Sequence, residues 1–224
     1  ATHRQNLFRG KTVKSKVNVK EKVDFDIEKS GGAKYIAGID EVGRGPLAGP
    51  VVCAAVILPY DGEIIDGIND SKKVSEKKRE LLDKLIREKA IAVSVAQIEP
   101  DEIDELNILR ATEKCMKAAA EGLSVKPDVV LVDALVPDLP YKTIGIIKGD
   151  EQSYAIGAAS IVAKVYRDNL MREYDKIYPE YGFEKNKGYG TKEHIDALKE
   201  NGFCRIHRKT FIKNFSADKA REPF

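Results

Sequence analysis

Apolar residues fall along this chain in short dense runs, and their spacing changes from run to run. Tyr35–Ile39 is one run, and Val51–Leu58 is another, continuous and rich in β-branched residues. Both predict strands, the second buried on both faces. The short connection between them predicts antiparallel pairing. Ile91–Ile98, Val129–Val132 and Thr143–Ile147 predict three more strands. Helical spacing follows Ser75, a suitable N-cap: Leu81, Leu82, Leu85 and Ile86 predict a helix to about Ala90. Pro100 with Asp101 and Glu102 opens a second helix, carried through Ile103, Leu106 and Met116 to Gly122. Ser153–Tyr174 is small and apolar first and charged later, which predicts a helix packed closely on a sheet. Tyr178 to Gly190 reads as an aromatic and basic loop, and Lys192–Lys199 as a short helix ended by Gly202. Strands with helices between them predict an α/β layered fold.

The first 34 residues stand apart from this pattern. The opening stretch is basic and without a period. Val17, Val19, Val23, Phe25 and Ile27 are then spaced by twos with one slip, the mark of a half-buried strand. Ser30-Gly31-Gly32 closes it as a turn. The segment reads either as a small strand laid on the main domain or as a basic arm ordered on binding. The expected division is an extension over residues 1–34 and a main domain over 35–224 with a basic C-terminal segment.

Composition narrows the class. The chain has 224 residues, is 42% hydrophobic and 33% charged, and has the composition of an ordinary globular protein. Its net charge is only +2, so any affinity for a polyanion must come from local charge. Residues 1–20 carry six Lys/Arg and no acid, and residues 185–213 carry eight against three acids. Cys53, Cys115 and Cys204 are odd in number and far apart, which argues against a disulfide framework or a zinc site. They point to a reducing, cytoplasmic compartment. No apolar run approaches the roughly 18–20 residues of a membrane span. The basic N-terminal stretch lacks the apolar region of a secretory signal.

The candidate chemistry gathers where strands end. YIAGI runs into Asp40-Glu41, VVLV into Asp133, and TIGIIKG into Asp150. In a sheet of parallel neighbours such ends share one edge, where ligands commonly bind. Carboxylates gathered there repel one another by roughly 4 kcal/mol per pair at 4 Å in an intermediate dielectric. A hard cation such as Mg²⁺ or Mn²⁺ removes that repulsion. Two such ions can drive phosphodiester hydrolysis. The plainer alternative is a set of solvated turns and caps. After the first acid pair comes Gly43-Arg44-Gly45, a turn whose backbone a ligand can approach closely. Lys72 and Lys73, Lys164 and Arg167, and the group Lys185, Lys187, Tyr189 and Lys192 could contact phosphate or stack on a base or sugar. Each Lys reads equally as a solvated side chain. His194 reads as structural.

Several long pieces resemble the ribonuclease HII family, the bacterial type 2 ribonucleases H. They are GIDEVGRGPLAGPVVCAAVIL, NDSKKVSEKKRE, NILRATEKCM, VLVDAL, IIKGDEQSYAIGAASIVAKVYRD, NKGYGTKEH and HRKTF, in that order from Tyr35 to Phe211. The resemblance implies a ribonuclease H-like fold, a five-stranded mixed sheet flanked by helices, over the main domain. It implies that Asp40, Glu41, Asp133 and Asp150 hold the catalytic metal, two ions of Mg²⁺ or Mn²⁺ with substrate. It further implies endonucleolytic cutting of the RNA strand of RNA–DNA hybrids, and cutting 5′ of a single ribonucleotide in duplex DNA, leaving 3′-hydroxyl and 5′-phosphate ends. Gly43, Arg44 and Gly45 would meet the ribose 2′-hydroxyl, and Tyr189 would stack on the sugar at the RNA–DNA junction. Lys164 and Lys72 are expected substrate contacts. A monomer without membrane attachment is expected. The sister family ribonuclease HIII, a non-catalytic duplex-binding module and a nuclease of the same fold acting on DNA junctions are the alternatives. Gly-Arg-Gly, where ribonuclease HIII has Gly-Thr-Gly, favours HII.

Overall fold

The computed structural model describes residues 18–215. A mixed five-stranded sheet runs in the order β3-β2-β1-β4-β5. Its strands are β1 (Ile36–Val42), β2 (Val51–Ile57), β3 (Ala92–Ile98), β4 (Val129–Asp133) and β5 (Lys142–Ile146). β1 and β2 are antiparallel, as are β2 and β3. β4 pairs in parallel with β1 on one side and with β5 on the other. Every residue of β2 is buried, as its unbroken apolar run predicts.

Helices cover both faces. On one lie α2 (Glu76–Lys89) and the long α6 (Tyr154–Ile177), whose Ala158, Ala159 and Val162 pack on Val52, Ala54 and Val56. On the other lies α4 (Ile108–Glu121), whose Cys115, Met116 and Ala119 meet Ile39, Cys53 and Val132. The small residues that open α6 bring its backbone onto β1. A Cβ on Gly38 would lie 2.1 Å from the Ala155 carbonyl carbon, so glycine is required there. All three cysteines are free and buried.

Three expectations are corrected. Residues 19–30 are a helix, α1 (Val19–Ser30), and the spacing by twos is a coincidence of composition. The buried positions Lys22, Val23, Asp26 and Ser30 follow the helical repeat instead. Asn18 caps the helix start through the Lys20 N–H, and Gly31 ends it in the left-handed conformation, φ 73°. Residues 1–17 lie outside the described residues, so the basic-arm reading is untouched. The single helix expected from Pro100 to Gly122 is two, α3 (Pro100–Leu106) and α4. Asn107 separates them at φ 69°, its side chain accepting the Leu109 and Arg110 N–H groups. The expected loop at 178–190 holds a 3₁₀ turn, Pro179–Tyr181, and a short α7 (Phe183–Asn186).

With α8 (Lys192–Asn201) and α9 (Lys209–Ile212), these C-terminal elements form a satellite core around Tyr181, Phe183, Leu198 and Met171. Its centre is polar. His194 and His207 meet there, with Nε2 atoms 3.0 Å apart, against the rings of Tyr181 and Phe183. Burial pushes His207 down to about 3 and also lowers His194. Both rings are therefore neutral in the folded protein at neutral pH.

α1 is tied to the domain by Asp26. Its Oδ2 accepts the Tyr60 hydroxyl at 2.7 Å and the Ala155 N–H at 2.9 Å, capping α6 from another element. Asp26→Ala leaves both donors buried without that acceptor and is expected to lower unfolding free energy by about 1–3 kcal/mol, with Asp26→Asn costing less. Urea denaturation of the two variants checks this. The histidine pair sets a pH dependence. A folded His207 pKa near 3 lies below the unfolded value, so the unfolded chain binds more protons between about 6.5 and 3. Stability is fully present above about 6.5 and falls as pH drops through that window. A His207→Gln chain should show a shallower fall in melting temperature over the same range.

Candidate active site

The parallel pairing of β1 with β4 builds the site. Ile39 is level with Val132, so the next residues, Asp40 and Asp133, emerge side by side at the carboxyl ends of adjacent strands. Asp40 is 6% exposed and its Oδ1 accepts the Glu41 N–H at 2.8 Å. Asp133 Oδ1 accepts the Gly149 N–H at 2.7 Å. That bond draws in the segment after β5, where Asp150 sits buried in the short helix α5 (Gly149–Gln152). Asp150 is thus on a helical turn four residues beyond the strand, not at the strand end.

The electrostatics place all four acids in one field. Burial raises Asp40 well above the usual carboxylate range, and Glu41, Asp133 and Asp150 raise it further. Burial likewise raises Glu41, with Arg44 opposing and Asp133 adding to the rise. Asp150 is pushed up to about 6, by burial and then by Asp70 and Asp133. Glu41 Oε1 accepts a bond from Arg44 Nη1 at 3.3 Å, while its Oε2 is buried with no hydrogen-bond partner. A buried, unpaired carboxylate oxygen beside further carboxylates is an acceptor set for a hard cation. Among the described residues, no three His, Cys, Asp or Glu groups converge closely enough to ligate one ion in these rotamers.

Beside the acids, two buried arginines lie beneath the Gly43-Arg44-Gly45 turn, Arg208 bonded to it and Arg167 to the backbone around it. Arg167 donates to the carbonyls of Pro50, Lys187 and Ala48, and Arg208 to those of Gly43, Arg44 and Gly49. Its two glycines differ. Gly43 has φ 91°, and a Cβ there would lie 2.3 Å from Arg167 Nε. A Cβ on Gly45 would meet only the Tyr189 ring, at 3.8 Å. Tyr189 is exposed and stands over this turn.

The family model described as Ribonuclease HII matches residues 37–214. The chain belongs to the ribonuclease HII family. A Ribonuclease HII from Acetivibrio thermocellus is 55% identical over 185 residues, covering 82% of this chain and 72% of that protein. The ribonuclease H2 structure from Pyrococcus horikoshii superposes with TM-score 0.69 at 28% identity, covering 79% of this chain and 93% of that one. A Bst ribonuclease HIII, solved in complex with Mn²⁺, has TM-score 0.61 at 15% identity, covering 75% and 61%; it bears on the fold alone. The ribonuclease H-like fold expected from the sequence is therefore confirmed. As a member of this family the chain is a type 2 ribonuclease H enzyme, an endoribonuclease of RNA–DNA hybrids, in a family of metal-dependent enzymes. No helix among the described residues is long and apolar enough to cross a membrane.

The predicted basic contacts divide. Lys72 is exposed next to the acids: burial works against its charge, but Asp70, Asp150 and Asp40 outweigh it and raise its pKa. Lys164 is turned inward. Its Nζ pairs with Asp168 Oδ1 at 2.6 Å, and Arg79 lies 3.6 Å from the other oxygen. Two residues were missed. Asp70 caps the 3₁₀ turn Ser71–Lys73 and is the largest charge acting on Asp150. Lys22 on α1 donates to Asn69 Oδ1 at 3.1 Å and to the Asp150 carbonyl at 3.2 Å. NDSKK carried a signal for Asp70, an acid in a turn among lysines. Nothing marked Lys22, because a lysine in a basic extension reads as solvated.

The two glycines give a test of the turn. Gly43→Ala imposes a left-handed alanine against Arg167 and is expected to lower unfolding free energy by about 1–3 kcal/mol. Gly45→Ala has room and is expected to change it by less than about 0.5 kcal/mol. Equal losses in chemical denaturation would contradict the separate roles.

Proposed function

We propose that Asp40, Glu41, Asp133 and Asp150 hold divalent cations, Mg²⁺ or Mn²⁺, and that the enzyme uses them to hydrolyse the phosphodiester 5′ of a ribonucleotide. The substrates are RNA–DNA hybrid and duplex DNA carrying a single ribonucleotide, and the products bear 3′-hydroxyl and 5′-phosphate ends. The observation that carries the reading is the acid cluster itself: Asp40 is buried with three other carboxylates acting on it, and Glu41 Oε2 has no partner. Such a cluster is stable in ionised form only with positive charge among it. When bound, the ions supply a water of lowered pKa and charge for the departing oxygen.

The chain's own residues hold the substrate. The Gly43-Arg44-Gly45 backbone faces the ribose, and a 2′-hydroxyl is both donor and acceptor for backbone groups. Tyr189, exposed beside Gly45, offers its ring to the sugar. Lys72 lies next to the acids, placed to take a phosphate of the strand being cut. Lys164 would reach a phosphate only by leaving Asp168. Arg44 bonds Glu41, so the turn that reads the sugar is tied to the acids that cut beside it. We read the protein as a cytoplasmic monomer; its free cysteines support a reducing compartment.

The test is cleavage of a DNA duplex holding one ribonucleotide. Cutting 5′ of that ribonucleotide is expected with Mg²⁺ or Mn²⁺ and none in EDTA; cutting that persists in EDTA contradicts the metal reading. Asp133→Asn keeps an oxygen to accept the Gly149 N–H, so folding is expected to survive. Its activity should fall by about 10²–10³-fold or more. Mn²⁺ at 100 times its dissociation constant should stabilise the wild type by about 2.7 kcal/mol and the variant by much less.

A further inference from the structure

The segment Cys204–Arg208 touches both halves of the proposed ribonucleotide reader. Its backbone pairs with the chain just after the Gly-Arg-Gly turn. His207 bridges Ala48, the Gly49 N–H donates to the Ile206 carbonyl at 2.8 Å, and the Arg208 N–H donates to the Leu47 carbonyl at 2.8 Å. From this rail, two adjacent side chains reach two different parts of the site.

Arg208 is fully buried. Its Nε donates to the Gly49 carbonyl at 2.9 Å, Nη1 to the Arg44 carbonyl at 2.9 Å, and Nη2 to the Gly43 carbonyl at 2.5 Å and to that of Gly49 at 2.8 Å. A trans peptide is planar, with its C=O and N–H on opposite sides. Holding the carbonyls of Gly43 and Arg44 therefore turns the N–H groups of Arg44 and Gly45 away from the protein interior. The rigid guanidinium fork can fix several carbonyls at once, which an ammonium cannot.

His207 leads to Tyr189 through His194, and the geometry fixes the polarity of every link. The Cys204 N–H donates to His207 Nδ1 at 3.0 Å, so Nδ1 carries no proton. The Cys204 thiol lies 3.2 Å from the same nitrogen. His194 Nδ1 lies 2.9 Å from the Tyr189 carbonyl, which can only accept, so this Nδ1 carries the proton. The bond between the two Nε2 atoms at 3.0 Å then runs from His207 to His194. One continuous chain of donors leads from Cys204 to the Tyr189 backbone. Both rings must be neutral, each in one tautomer. The Tyr189 carbonyl also accepts the Thr191 N–H at 2.8 Å, so the tyrosine backbone is held from two sides.

We propose that His194, His207 and Arg208 are positioning residues for ribonucleotide recognition. Arg208 aims the turn, the histidine pair holds the Tyr189 backbone, and the rigid segment that carries both sets the distance between them. All three are almost completely buried, so they act through the groups they hold. The inference rests on Tyr189 and Gly43-Arg44-Gly45 being the reader.

The experiment is steady-state cleavage of duplex DNA with a single ribonucleotide, using Tyr189→Ala, His194→Leu, His194→Asn, Arg208→Met and Arg208→Lys. Melting temperature and the Mn²⁺-induced shift are measured on each, to show that the fold and the acid cluster persist. His194→Leu and Arg208→Met are expected to raise KM by about tenfold or more with kcat within about threefold, as misplacement of a binding element does. His194→Asn keeps a donor near the position of Nδ1 and should recover part of the loss; Arg208→Lys should not. In the double variant with Tyr189→Ala, His194→Leu should add little. If Tyr189→Ala raises KM but the folded His194→Leu and Arg208→Met do not, the positioning role is overturned and the reader stands. If Tyr189→Ala leaves KM unchanged, the reader itself fails and this inference with it. Should the variants not fold, ¹⁵N spectra of the wild-type histidines decide. Both rings neutral at pH 6, with the proton on Nδ1 of His194 and on Nε2 of His207, support the chain. A charged ring or the opposite tautomer overturns it.

Discussion

Repulsion between carboxylates withheld from water is the constraint on which this structure depends. Asp40 is almost wholly buried, and Glu41, Asp133 and Asp150 all act on it. Left to themselves, such groups would protonate or move apart. The scaffold prevents the second outcome. Parallel pairing keeps Asp40 and Asp133 at one level of the sheet. The Gly149 N–H fastens Asp133 to the segment bearing Asp150, and Lys22 fastens that segment to α1. The absence of a side chain at Gly38 lets α6 close over the same strand. A fold that holds like charges together with this much hydrogen-bonded order supports the proposed cation among them, in keeping with a family of metal-dependent enzymes.

A second device sits beside the first. The Gly43-Arg44-Gly45 turn and the chain just after it are carbonyl-rich, glycine-containing backbone without regular pairing of its own. Such backbone needs partners. Arg167 and Arg208 supply them from within, each spreading its donors over carbonyls from separate stretches of the loop. Two buried guanidiniums with no carboxylate among the described residues bonded to either are costly, and burial pulls Arg167 to about 10 and Arg208 to about 9. What they provide is a turn held from within, whose outward face the proposed function gives to the ligand. Acids and turn are joined through Arg44 and Glu41, so the proposed sites of recognition and cleavage are neighbours.

How much of this was legible in the chain depended on distance along it. Apolar runs marked all five strands. They are dense in the buried β1, β2 and β4, which have no polar face to interrupt them. They are broken by Ser94 and Gln97 in β3 and opened by Lys142 and Thr143 in β5, the partly exposed edges of the sheet. Three of the four acids stood directly after those runs, and the topology brought them together. Asp150 was found as well, though a helical turn and not a strand carries it. The helix at residues 19–30 was missed because its inward face includes Lys22 and Asp26, charged groups whose partners, Asn69, Asp150, Tyr60 and Ala155, lie far along the sequence. The break at Asn107 turned on a single side chain bonding its own backbone, which hydrophobic periodicity does not register. Lys164 shows what spacing alone leaves out: a lysine on the helix after Asp150 invites a phosphate, and Asp168 one turn along pairs with it in the folded chain.

The central claim is that the four carboxylates form one cation site. Crystals of the protein soaked in Mn²⁺ and measured at the manganese edge address it without reference to activity. Anomalous density among Asp40, Glu41, Asp133 and Asp150 is the predicted result. Manganese bound only elsewhere, or none at a concentration that supports cleavage, would contradict it.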